Sequence, residues 1–301
     1  MRTHLSLCGA ALMLGVAAKG VECQRPAADS VRALRESLRT ADAAASAAAF
    51  KRGLAEALPL EMTDDAVLLW EAAPIVWGRA NIAQLLAAHS GVRVTWTPFR
   101  VLVSADGQLG VTFGETSRYV DARALVTVAR YITVWRRVAP NGWKIAALAP
   151  IGLVSPDSVK VPTPAPRAAV ARAVPADPFA LADLAFARMA RDSVAPAAFE
   201  HFSAPDAMTL ASSGELNIGP ATIRARLSES RAGGASWKWR PVATIAAASG
   251  DLGATVGEAE IRSPGDGVAG VFFSKYITIW QRQPDGSLRF VVDGGNSRPK
   301  P

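Results

Sequence analysis

Two glutamates, Glu115 and Glu258, end strand-like runs of the same form 143 residues apart. Glu115 follows Leu109, Val111 and Phe113 at alternate positions, and Glu258 follows Leu252, Ala254 and Val256. Residues two apart on a strand share a face, so each carboxylate continues an apolar face that a core would claim. A carboxylate enclosed among apolar side chains is what a protein needs to take a proton from carbon. Each Glu either faces a cavity in this way or stands at a strand end, reaching water or pairing with Arg118 or Arg262. Tyr276 and Asp293 form a second candidate pair. The turn Asp285-Gly286 sets Thr278 opposite Asp293 and Ile279 opposite Val292. In that phase Ile277, Ile279, Leu288, Phe290 and Val292 share an aliphatic face expected in the core, and Tyr276, Thr278, Trp280 and Asp293 share the other. A bulge that reverses the phase would make a polar site of Tyr276 and Asp293. Trp96, Trp237 and Trp239 are candidates for a pocket wall, or else ordinary core of half-buried strands.

Other chemistry lacks its residues. His89 and His201 stand singly near helix ends, and no His, Asp or Glu cluster has metal-ligand spacing. No Gly-rich loop precedes a helix as a phosphate cradle would, and no Ser lies in a nucleophile elbow. No cofactor and no metal is expected.

The elements that would position these residues occur twice. Trp96–Glu115 and Trp239–Glu258 align without a gap and agree at nine of twenty positions. Upstream, Gly78, Ala80, Ile82 and Leu86 recur as Gly219, Ala221, Ile223 and Leu227. Downstream, Tyr131–Arg137 recurs as Tyr276–Arg282. A repeat of this length is a duplicated domain and not a solenoid turn. In each copy helices come first and a meander of strands follows. The first copy predicts a helix from Ser30 to about Leu58, a strand over Ala66–Trp70, a helix from Arg79 to His89 and four strands over 92–104, 108–120, 125–138 and 143–148. The second predicts a helix over 178–202 with a break near Pro196, a strand over 207–211, a helix over 220–230 and strands over 237–248, 252–261, 268–283 and 288–292. This order is α+β: two copies of a cone, each with helices packed in a strongly curved antiparallel sheet.

The domains are read as 28–150 and 178–298. A Pro-rich linker, 151–177, joins them, and a signal peptide with its tail occupies 1–24. Arg2 and His4 precede an apolar run, Leu5–Ala18, too short to span a bilayer comfortably, with small residues before Lys19; this predicts export to the periplasm or beyond with cleavage near Ala18. The 301-residue chain carries a formal charge of +7, mostly as scattered Arg. It has no basic run interleaved with aromatics, so nucleic acid is not expected as a partner, nor a membrane once the signal is removed. Cys8 lies in the signal and Cys23 is then alone, so no intrachain disulfide is expected.

The words Trp239-Arg-Pro241, Gly250-Asp-Leu-Gly253, Thr255, Gly257, Tyr276-Ile-Thr278-Ile-Trp280 and Pro284-Asp-Gly286 resemble the SnoaL-like, ketosteroid-isomerase-like group of the nuclear transport factor 2-like superfamily. The first copy departs from the second, with Leu148 in place of Asp293 and Gln108 in place of Asp251. The resemblance implies the cone fold. For function it leaves two readings: a protein that binds a small apolar ligand or a protein partner without catalysis, or an isomerase, dehydratase or cyclase working by carboxylate proton transfer in the second domain. The aromatic faces that carry Tyr131, Thr133, Trp135 and Tyr276, Thr278, Trp280 are expected outside each sheet. Covering them there predicts an internal pseudo-dimer, the two outer faces packed on one another.

Overall fold

The computed structural model describes residues 28–120, 124–138, 142–152, 177–210, 216–229, 234–263 and 270–301. The signal segment and almost all of the linker fall outside the described residues.

The first domain opens with α1 (Ala28–Arg52) and α2 (Leu54–Leu60), where the sequence predicted one helix. Gly53 separates them at φ 94°, a conformation that a residue with a Cβ rarely adopts. Then follow β1 (Met62–Leu68), β2 (Val76–Trp77), α3 (Arg79–Ala87), β3 (Val92–Val103), β4 (Leu109–Val120), β5 (Ala124–Val138) and β6 (Gly142–Ile151). The second domain repeats the plan with α4 (Pro178–Asp192), α5 (Ala195–Phe202), β7 (Ser203–Leu210), β8 (Leu216–Ile218), α6 (Pro220–Glu229), β9 (Ser236–Ala246), β10 (Leu252–Arg262), β11 (Val271–Arg282) and β12 (Leu288–Ser297). Asp177 caps α4, its carboxylate accepting from the backbone N–H of Phe179 and Ala180, with Pro178 at the first helical position.

Each domain holds one six-stranded sheet. The orders are β2-β1-β6-β5-β4-β3 and β8-β7-β12-β11-β10-β9, the same topology twice. All pairs are antiparallel except β1 with β6 and β7 with β12. This is the α+β double-cone plan expected from the sequence.

The two faces of each sheet are both covered, by different things. Helices cover the inner face. In the first domain Leu38, Ala45 and Ala49 of α1 share a cluster with Trp135, Trp143, Val101 and Val103. In the second, the Phe179 ring lies so close over Gly253 that a Cβ there would collide with it. The outer faces meet across the domain boundary: Val111, Phe113, Ile132 and Val134 belong to one buried cluster with Ala254, Val256, Ile277, Ile279 and Val292. Gly294 lies against Ile132 and Ile151 of the first domain.

This reverses the facing predicted from sequence. The aliphatic face is the one turned to the other domain. Tyr131, Thr133 and Trp135, and Tyr276, Thr278 and Trp280, point under the helices. All six are nearly inaccessible. The Thr278–Asp293 and Ile279–Val292 pairs occur as predicted, and a bulge beyond Ile279 then sets Phe290 beside Trp280.

Polar contacts also join the domains. The β3–β4 turn and its counterpart between β9 and β10 hold each other: the Ala105 N–H donates to Asp251 across 2.9 Å, and the Ser249 N–H donates to Asp106 across 3.0 Å. Asp106 and Ser249 occupy matching positions in the repeat, which is the contact expected on a local twofold axis. Arg100 pairs with Asp206 at 2.8 Å. Asn296 donates to the carbonyls of Leu69 and Pro150 at 2.6 and 2.7 Å, and the Ser297 hydroxyl donates to Glu71.

Candidate functional site

Each domain carries a buried aspartate on its first long helix, with donors from three strands around it. In the first domain Asp42 accepts from the hydroxyls of Thr112 at 2.7 Å and Tyr131 at 3.1 Å. In the second, Asp183 accepts from Thr255 at 2.5 Å, Tyr276 at 2.9 Å and the indole of Trp239 at 3.0 Å. Behind each Thr stands a Trp whose indole N–H donates to the hydroxyl, Trp135 at 2.9 Å and Trp280 at 3.0 Å. Gly257 is what lets the Tyr276 ring lie flat across its strand, since a Cβ at that place would overlap it. Burial pushes both Asp42 and Asp183 up to about 6, against the pull of their hydrogen bonds. Burial and the neighbouring carboxylate push the Tyr276 phenol well above its usual range. With both carboxylates inaccessible and held by these donors, the networks tie the sheet to the helix.

The second domain also holds a half-open cavity of about 830 Å³. Its wall is aromatic and aliphatic, with Phe186, Phe199, Trp237, Trp239, Ile261 and Phe272. Its polar end is built from Asp293, Thr278, Thr209 and Asn217. Strand register places these together, since β12 pairs Asp293 with Thr209, β11 pairs Thr278 with Asp293, and β8 pairs Asn217 with Thr209. Asn217 donates to Thr209 at 3.3 Å and Thr278 donates to Asp293 at 2.6 Å. Among the described residues, that bond from Thr278 is the one hydrogen bond to the Asp293 side chain, and it takes Oδ2, so Oδ1 is left to the cavity. Burial, with the Asp183 charge adding to it and the Thr278 bond opposing it, pushes Asp293 up to about 7. Such a carboxyl exchanges a proton near neutral pH.

The first domain provides a control within the same chain. There the register pairs Leu68 with Leu148, Leu68 with Val76 and Thr133 with Leu148. Leu68, Val76 and Leu148 therefore occupy the places of Thr209, Asn217 and Asp293. The polar end belongs to the second domain alone.

The residues named from sequence are distributed as follows. Trp239, Tyr276 and Asp293 come together in the second domain and all three line the cavity. Trp96 packs against Tyr131 in the first domain, ring centroids 6.3 Å apart. Glu115 and Glu258 are not on the inner face. They lie with the aliphatic residues on the outer one, where Glu115 pairs with Arg130 at 2.6 Å and Glu258 approaches Arg298 at 3.8 Å. The alternation that placed them was sound, but the face it identified was the one between the domains. Sequence reasoning missed Asp42 and Asp183, because an Asp inside an apolar helix reads as an exposed position. The signal was their recurrence 141 residues apart, the same offset as Gly78 and Gly219. Thr209 and Asn217 were missed as well, lying on short strands without strong patterning. Among the described residues no group of three or more His, Cys, Asp or Glu is placed to hold a metal ion, and no helix is long and apolar enough to cross a membrane.

No protein-family model matches the chain, and no curated protein sequence matches it significantly. Solved structures do. An NTF2-like protein with a cystatin-like fold from Novosphingobium aromaticivorans is 16% identical, over 40% of this chain and 79% of its own, with a TM-score of 0.34. A ketosteroid isomerase-like protein from Erwinia carotovora atroseptica is 24% identical, over 38% of this chain and 95% of its own, at 0.31. The Δ5-3-ketosteroid isomerase of a Mycobacterium species is 16% identical, over 40% and 92%, at 0.31.

Proposed function

We propose that the second domain binds a small, largely apolar ligand in its cavity, with the Asp293 carboxyl as the polar anchor. The observation that carries this reading is the exchange of Leu68, Val76 and Leu148 for Thr209, Asn217 and Asp293 on otherwise matching strands. A polar group in an apolar enclosure costs stability unless something partners it, and here a bound molecule supplies what the protein leaves out. Native mass spectrometry of protein purified from its own host tests the reading: a retained small molecule is expected, and is lost in the triple variant Thr209→Leu, Asn217→Val, Asp293→Leu. A variant that retains the same molecule would end it.

A second reading, an isomerase or dehydratase acting by proton transfer, is favoured by one feature. Asp293 has one oxygen steadied by Thr278 and the other open to the cavity, and it titrates near neutrality, as a general base must. Its test is deuterium exchange at an acidic C–H of the retained ligand, absent in Asp293→Asn.

The chain is further proposed to be exported and to work as an internal pseudo-dimer, monomeric overall. The apolar run Leu5–Ala18 supports the first. The cluster shared by the two outer faces supports the second.

A further inference from the structure

The class of ligand follows from the charges around the cavity, and this inference rests on the ligand-binding reading above. At the polar end Asp293 is the open group, and Asp183 on α4 adds a second negative charge within electrostatic reach. Among the described residues no cation is among the groups that act on either carboxyl, whereas Asp42 in the first domain has Arg39 nearby. The cations along the lining have other carboxylates or carbonyls. Arg226 on α6 lies 3.4 Å from Glu229 on the same helix. Lys275 on β11 donates to the Ser297 carbonyl, with Glu71, Glu258 and Arg298 as its charged neighbours. The rest of the wall is aromatic: Trp237 stands 6.2 Å from Trp239 and 5.7 Å from Phe199, and Phe186 stands 4.8 Å from Trp239. Ring faces attract a cation most where water is excluded.

We propose that the cavity takes an organic ammonium, an apolar amine whose charged head meets Asp293 and whose body lies along the Trp237, Trp239 and Phe199 wall. A carboxylic acid would set its charge against Asp293, while the lining cations Arg226 and Lys275 are already engaged with Glu229 and the Ser297 carbonyl. A neutral alcohol would gain a single hydrogen bond there and no charge pairing.

Three probes with one apolar body separate these cases: 4-phenylbutylamine, 4-phenylbutan-1-ol and 4-phenylbutanoate, titrated calorimetrically into the full chain at pH 8. The amine is expected to bind about tenfold tighter than the alcohol, the margin of a charge-assisted bond over a neutral one, and the acid weakest. Asp293→Asn, which keeps the shape and an acceptor for Thr278, is expected to erase the amine's advantage. The wild-type protein gives the same answer without a variant, because amine affinity should fall as pH drops through about 7, where Asp293 takes up its proton, while alcohol affinity stays level. Equal binding of all three, or tightest binding of the acid, overturns the ammonium assignment and leaves the cavity a ligand site. Failure of every probe to bind, in a protein that retains no small molecule from its host, overturns both.

Discussion

Tyr276 donates its phenolic hydrogen to Asp183 across 2.9 Å, in the interior of the second domain. Tyr131 makes the matching bond to Asp42 in the first. An acceptor so enclosed is expensive to remove, because each donor around it is then buried without a partner. Asp183→Ala is therefore expected to cost more than about 3 kcal/mol, and Tyr276→Phe about 1–2 kcal/mol, since Thr255 and Trp239 still serve the carboxylate. Urea denaturation followed by Trp fluorescence measures both. Equal costs for the two would show that the aspartate does not act as the hub.

Asp293 makes stability depend on pH in a stated direction. Its folded-state value of about 7 lies above the ordinary carboxylate value of 3.8, so the folded protein holds more protons than the unfolded chain between them. Stability contributed by this group therefore falls as pH rises from about 4 to 7, and the penalty is complete above that. Asp293→Asn should be more stable than the parent at pH 8, by an amount on the order of a few kcal/mol at most, with the difference vanishing near pH 4. Thermal melts of both proteins at the two pH values check it. A constant difference would mean that Asp293 is not buried as described.

The outer faces predict how the halves depend on each other. Residues 28–152 alone would expose Val111, Phe113, Ile132 and Val134, which the whole chain buries. The isolated first domain should melt well below the intact chain, or pair with itself through that face. Analytical ultracentrifugation and calorimetry of the domain decide this; a monomer as stable as the intact chain would exclude a shared core. A side chain at Gly294 should have a related effect. Gly294→Val would press on Ile151 and Ile132 and is expected to cost about 1–3 kcal/mol, as overpacking does.

Export predicts a new N-terminus. Sequencing of the protein recovered from outside the cytoplasm should begin between about Lys19 and Gln24, as the small residues before Lys19 dictate. Recovery of intact Met1 from a soluble cytoplasmic fraction would refute it.

The strand plan was legible because the turns announce it. Asp285-Gly286 pointed to the Thr278–Asp293 and Ile279–Val292 pairs, while the bulge nearer the turn, which moves Phe290 beside Trp280, left no mark in the sequence; the repeat made each half a check on the other. Which face was inner was not legible. Alternation marks a core only when one face meets water, and here Tyr276, Thr278 and Trp280 are as buried under the helices as Ile277 and Ile279 are between the domains. Glu115 and Glu258 were misplaced for that reason. Asp183 was illegible by pattern, since its partners lie on the strands that carry Trp239, Thr255 and Tyr276, far away in sequence.

The local twofold at Asp106 and Ser249 has a consequence for binding curves. In a dimer of identical chains any substitution falls on both cavities at once, so both sites are kept or both are lost. Here the two halves are spelled separately, and Leu148 can stand in one while Asp293 stands in the other. For the monomeric chain proposed above, saturation through the Asp293 site should therefore be hyperbolic, with one equivalent per chain and a Hill coefficient of about 1, since the first domain offers no second copy of the site to couple with.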